Sequence, residues 1–139
     1  MRALQTSIDV WVASASVTAD GTIRPYLIPV SLAWIDDRVV IAIGSGSRTA
    51  RNLHAAGTTR LAVGPTRDVV IIDAQLEHSE PVHAATGLAD RYAERADWDP
   101  RETDGDYSFF VLRPQRLDAW RESNEMVGRT LMRQGEWLR

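Results

Sequence analysis

The chain contains no cysteine and no lysine. Without cysteine there is no disulfide, no thiol nucleophile and no thiolate-ligated metal or iron–sulfur centre. Such a chain suits a reducing compartment, and a cytoplasmic location is expected. Without lysine no side chain can form a Schiff base with a carbonyl substrate. All 16 basic residues are therefore arginines. The three histidines, His54, His78 and His83, follow no metal-binding spacing, so no metal is expected. The serines lie in no G-x-S-x-G context, and Gly44-Ser45-Gly46 lacks the third glycine of a dinucleotide fingerprint. The acidic stretch Asp97 to Asp106 lacks the calcium-loop pattern and reads as a solvated loop. The apolar run Ile8 to Val17 is too short to span a bilayer and partly alternates, so no membrane partner is expected. A net charge of -3 gives no reason to expect nucleic acid.

What is present fits a globular protein. Of the 139 residues, 44% are hydrophobic and 25% charged, enough for one domain over the whole chain, 1–139, with a real core. Ile8 to Val17 and Thr22 to Trp34 read as two strands joined at Asp20-Gly21, a pair that tolerates the positive φ of a tight hairpin. A second turn at Asp36-Asp37 leads to a strand at Arg38 to Ile43. Pro25 and Pro29 donate no ladder hydrogen bond, which predicts that one side of their strand is unpaired. Arg60 to Val63 and Val69 to Leu76 are further strands. Val69 to Ala74 is apolar on both faces and predicts a buried central strand or a subunit interface. Asp73 inside it needs a partner, with an arginine the candidate. Arg67-Asp68 suggests a turn salt bridge, with Arg67 free to reach a ligand instead. Val82 to Arg95 has helical spacing. Tyr107 to Leu112 is a strand that Pro114 is expected to break, followed by a short strand at Arg116 to Arg121. Ser123 to Met126 reads as a turn or short helix, and Thr130 to Arg139 as a closing hairpin.

The segment Arg38 to Leu53, RVVIAIGSGSRTARNL, carries the most chemistry. A strand runs into a turn of small residues (Gly44 to Ser47) and then a helix. A helix N-terminus offers unpaired N–H groups and a favourable dipole to an anion. Ser47, Thr49, Arg48, Arg51 and Asn52 add hydroxyl, guanidinium and amide donors. Two readings fit. One is a seat for the phosphate of a flavin-like cofactor. The other is an ordinary helix capped by Ser47, with its arginines in solvent.

The order of three strands, a short helix and two strands, with the motifs RPYLIPVSLAWIDDRVVIAI, SRTARNL, RLAVGPTRDVVIIDAQLE and the tail AWRESNEMVGRTLMRQGEWL, resembles the pyridoxamine 5′-phosphate oxidase-like, FMN-binding family, which includes flavin and deazaflavin oxidoreductases. The resemblance covers nearly the whole chain. It implies a mainly β fold, a six- to seven-stranded antiparallel split barrel with a short helix after Gly46. It also implies a homodimer with FMN in the groove between subunits, and a small-molecule substrate oxidised or reduced through the cofactor. Ser47, Arg48, Thr49 and Asn52 match the family's phosphate-binding segment. Pro29, Val30 and Ser31 match its ring-contacting strand, and Ile43 and Gly44 its second ring-side strand. Thr49 stands where the family commonly has a basic residue. Two alternatives keep the fold. One is a reductase using the deazaflavin coenzyme F-420, whose anionic tail would call on Arg51, Arg60 or Arg67. The other is a non-catalytic flavin or haem binder, with haem drawing its axial ligand from the three histidines. The tail has no histidine after His83, unlike the longer oxidases that act on pyridoxamine phosphate.

Overall fold

A computed structural model describes residues 2–138. A short helix α1 (Arg2–Thr6) precedes the hairpin β1 (Asp9–Val17) and β2 (Ile23–Ile35), then β3 (Arg38–Gly44) and helix α2 (Arg48–Ala56). The strands β4 (Thr58–Val63) and β5 (Val69–Pro81), helix α3 (Thr86–Ala96), and strands β6 (Tyr107–Trp120), β7 (Thr130–Arg133) and β8 (Glu136–Trp137) complete the fold. The sheet order is β3-β2-β1-β4-β5-β6-β7-β8, and β3 also pairs with β6. That pairing closes six antiparallel strands into a barrel and leaves β7 and β8 as an appended hairpin. Closure removes the exposed edges that an open sheet would leave.

The turns follow from their residues. Gly21 takes φ +86° in the β1–β2 turn, where the Thr18 hydroxyl donates to the Asp20 carboxylate. Asp36 and Asp37 both take positive φ (52° and 57°), the conformation of a tight two-residue hairpin.

Two apolar clusters form on opposite faces of β3 and β6. Val12, Leu32, Ile41, Leu61, Ile72 and Phe110 fill the barrel, with Ala50 and Leu53 of α2 inserted among them. Outside the barrel, Val40, Ala42 and Phe109 pack against Ala89, Tyr92 and Ala96 of α3. Phe109 and Phe110 are adjacent, so their side chains point to opposite faces and serve different clusters. Both are fully buried.

The structure corrects two expectations, at Pro114 and Arg67, and refines a third, at Val69 to Ala74. Pro114 does not break its strand: β6 runs through it, and the β5–β6 register slips between Asp73/Arg116 and Ala74/Pro114. Such a bulge accommodates a residue with no N–H to donate. The strand at Val69 to Ala74 is buried on one face only. Val70, Ile72 and Ala74 enter the core, while Ile71 and Asp73 lie half-exposed on the outer face. Asp73 does meet an arginine, Arg60, at 2.6 Å. Arg67 pairs with Glu122 at 3.2 Å rather than with Asp68.

Candidate functional site

The β2–β3 ladder spans only Leu32 to Ile35 opposite Ile41 to Arg38. Beyond Leu32 and Ile41 the two strands part. From Ile23 to Ser31, β2 is bonded to β1 alone. The Leu32 N–H donates to the Ile8 carbonyl, so alternate residues turn their backbone groups towards β1. Pro25, Leu27, Pro29 and Ser31 therefore direct theirs to the free side. The prolines thus occupy the side where no N–H is needed.

A cavity of about 260 Å³ occupies this split. One wall is β2, with Tyr26, Ile28, Val30 and Ser31; the other is the end of β3, with Ala42, Ile43 and Gly44. The start of α2 closes one end with Ser47, Arg48 and Thr49, and Trp98 and Tyr107 complete the lining. None of the lining residues is an acid, and none is a histidine.

The start of α2 is built for donation. Ser47 is the N-cap, and its Oγ accepts from the Ala50 N–H at 3.2 Å. Gly57, at φ 72°, ends the helix and donates to the Leu53 carbonyl. The preceding turn is pinned: Ser45 donates its N–H to the Asp106 carbonyl, and its hydroxyl meets that of Ser108 at 2.7 Å. The Arg51 guanidinium folds back onto the Gly46 carbonyl. These bonds leave the Arg48 and Thr49 N–H groups of the first turn unused. The Arg48 guanidinium lies over the Tyr26 ring, 5.0 Å from its centroid, and pairs with no carboxylate among the described residues. Thr49 is 2% exposed, and its hydroxyl oxygen has no hydrogen-bond partner among the described residues. Such an orphan is uncommon in a well-packed protein.

The structure thus gathers Val30, Ser31, Ile43, Gly44, Ser47, Arg48 and Thr49 around one cavity. It separates two other candidates. The Pro29 side chain lies on the outer sheet face beside Trp11. Asn52 is buried beneath α2, where its Nδ2 donates to Ser14 Oγ at 3.0 Å. Tyr26, Ile28, Ala42, Trp98 and Tyr107 were not anticipated. Alternation from Val30 places Ile28 and Tyr26 on its face, whereas Trp98 and Tyr107 arrive from a distant loop and strand. Of the arginines considered for an anionic tail, Arg60 and Arg67 are paired with Asp73 and Glu122, and Arg51 braces the turn. His54 is exposed at the α2 surface, its ring 5.0 Å from Phe110. Among the described residues no cluster of His, Asp and Glu could hold a metal, and no helix is long and apolar enough to cross a membrane.

Residues 3–121 match the family model described as pyridoxamine 5′-phosphate oxidase. The chain belongs to that family. No curated protein matches its sequence. Solved structures share its fold at low identity. An F420 reductase aligns with a TM-score of 0.65 at 18% identity, over 84% of this chain and 93% of its own. A heme binding protein from Mycobacterium smegmatis gives 0.67 and 19%, over 93% of this chain and 54% of its own. A pyridoxamine 5′-phosphate oxidase-related, FMN binding protein from Nostoc punctiforme gives 0.56 and 12%, over 85% and 76%. The split barrel of this oxidase family is therefore common to proteins named for different cofactors.

Proposed function

We propose that this member of the oxidase family is a flavin-dependent oxidoreductase that binds FMN in the split between β2 and β3. The observation that carries the reading is Thr49: a buried hydroxyl without a partner, lining a cavity at a helix N-terminus that also offers two free N–H groups and an unpaired arginine. A phosphate would satisfy all of them. Ser47, Arg48 and Thr49 would hold the phosphate, with the β2 and β3 walls against the ring. The bound flavin would supply the hydride chemistry. The residues of the chain bind and orient it, and the apolar lining excludes water from the ring. The walls that this chain supplies contain no acid or histidine, so a proton donor at the ring would come from solvent, the substrate or the partner chain. The alternative cofactor, F-420, shares the phosphate, but its tail would compete with the carboxylate partners of Arg60 and Arg67.

The absorption spectrum of purified protein, followed by titration of apoprotein with FMN and with F-420, tests this. The expected result is saturable FMN binding tighter than that of F-420. Preference for F-420 would establish the deazaflavin reading, and a haem band with no flavin affinity would overturn both.

A homodimer belongs to the same proposal. The outer face of the β1–β2 hairpin is apolar: Trp11, Val17, Ile23 and Leu27 are 47%, 68%, 67% and 60% exposed. Pro25 and Pro29 lie between them across the ladder. A patch of this kind on a small protein marks an interface, and a second copy is the self-complementary occupant. The cavity in one chain is also slightly smaller than the roughly 300–1,000 Å³ usual for cofactor-sized ligands, as expected if a partner supplies further walls. Light scattering should give twice the chain mass of 15.5 kDa, and Trp11→Arg should return it to the single-chain value. A wild-type monomer at micromolar concentration would refute the dimer.

A further inference from the structure

The β2–β3 ladder stops at the Leu32/Ile41 pair. In a continuing antiparallel ladder Ser31 would next face Ala42. Another group stands at that place. Tyr92 reaches in from α3, and its hydroxyl donates to the Ser31 carbonyl at 3.1 Å. The Ala42 backbone stands next to the same phenol and favours its charged form, an effect outweighed by burial. Tyr92 is fully buried, its ring held 5.1 Å from that of Phe109 and 6.3 Å from that of Trp98. Burial pushes the phenol well above its usual range, so it stays protonated and keeps its proton for donation. Ser31 and Ala42 both line the cavity, whereas Tyr92 stands behind them and does not.

We propose that Tyr92 is a positioning residue that wedges the split open: its hydroxyl takes the place of the next β2–β3 rung, between Ser31 and Ala42, and so sets the spacing of the two strands that flank the cofactor ring. A backbone rung brings its strands to about 5 Å. An inserted hydroxyl keeps them farther apart while satisfying the carbonyl that the parting would otherwise strand in a buried place. The wedge explains why pairing fails at this point although both strands continue: β2 runs on to Ile23 and β3 to Gly44. It also gives α3 a role at the site without touching a ligand. Ser31 then keeps its N–H on the free side of β2, available to a ring edge.

The inference rests on the cavity being a flavin site, and its test separates the two. Tyr92→Phe keeps the ring and its packing and removes only the hydroxyl. FMN and riboflavin, titrated by fluorescence quenching, are the probes. They share the ring and differ in the phosphate. Both should lose affinity by the same factor, about five- to tenfold, the typical effect of one lost hydrogen bond. In ligand-free protein the Ser31 and Ala42 amides should change shift and hydrogen-exchange rate, while those at the Asp36-Asp37 turn stay constant. A brace with no positioning role would lower the melting temperature and leave both dissociation constants unchanged, which overturns the proposal. Loss of FMN affinity alone would place the effect at the phosphate end and overturn it too. If the wild type binds neither flavin, the flavin reading fails. The wedge is then judged by the amides: unchanged exchange at Ser31 and Ala42 in Tyr92→Phe overturns it.

Discussion

Arg48→Ala should weaken FMN binding by roughly one to two orders of magnitude and leave riboflavin almost untouched. The factor corresponds to about 1.5–3 kcal/mol, the range for hydrogen bonds to charged groups. Arg48 is the candidate because its guanidinium pairs with no carboxylate among the described residues and lies over the Tyr26 ring at the mouth of the cavity. The pair of ligands separates cause from damage. If the substitution only loosened the start of α2, both ligands would lose affinity together. If neither changed, the segment would be an ordinary capped helix and the phosphate assignment wrong. Thr49→Val, which keeps the shape and removes the orphan hydroxyl, should act in the same direction with a smaller effect.

Phe110→Ala should cost about 3–5 kcal/mol of folding stability, the range for deleting a buried aromatic. Phe110 is fully buried in the barrel cluster, packs beneath α2 against His54, and stands on β6 opposite both Ile41 and Ser79. No neighbour can collapse into the space without disturbing two ladders. Against a usual total of about 5–15 kcal/mol the loss is large. For a chain of this size it amounts to a fall in melting temperature of roughly 10–20 °C. Thermal denaturation checks it. A loss below about 1 kcal/mol would mean that the barrel repacks around the void.

The strands and turns were legible because their signals are local. Asp20-Gly21, Asp36-Asp37 and the alternation around them specify two hairpins, and Ser47 and Gly57 bracket α2 by cap chemistry alone. Pro25 and Pro29 pointed correctly to the unpaired side of β2. Matching to the family grouped Pro29, Val30 and Ser31 as one contact segment, yet neighbouring side chains on a strand point to opposite faces. Val30 lines the cavity, while the Pro29 ring lies on the outer face. Asn52 lies away from the cavity for a related reason: its helix presents one face to the cavity and another to the barrel, and a four-residue motif does not say which. Tyr92, Trp98 and Tyr107 were invisible because they reach the split only through the docking of α3 and the closure of β6 on β3. Those contacts join positions some sixty residues apart, as in the Tyr92–Ser31 bond. Pro114 misled because proline was read as a strand terminator without allowing for a bulge.

The two walls of the split differ in mechanical support. β3 is bonded to β6 along its length and is pressed from one side by the barrel core and from the other by the α3 cluster. The opposing stretch of β2, from Ile23 to Ser31, has β1 as its only strand partner among the described residues and is braced from α3 at its Ser31 end. Any force that spreads the split is borne by the stiff wall and relieved by the compliant one. The cavity therefore resembles a vice with one fixed and one sprung jaw. A planar ligand such as the flavin proposed above would be clamped by bending a single hairpin. The β2 wall is thus divided: Tyr26 lines the split outside both apolar clusters and can be varied to retune the gap at little cost in stability, whereas Ile28 and Val30 also pack against the barrel core.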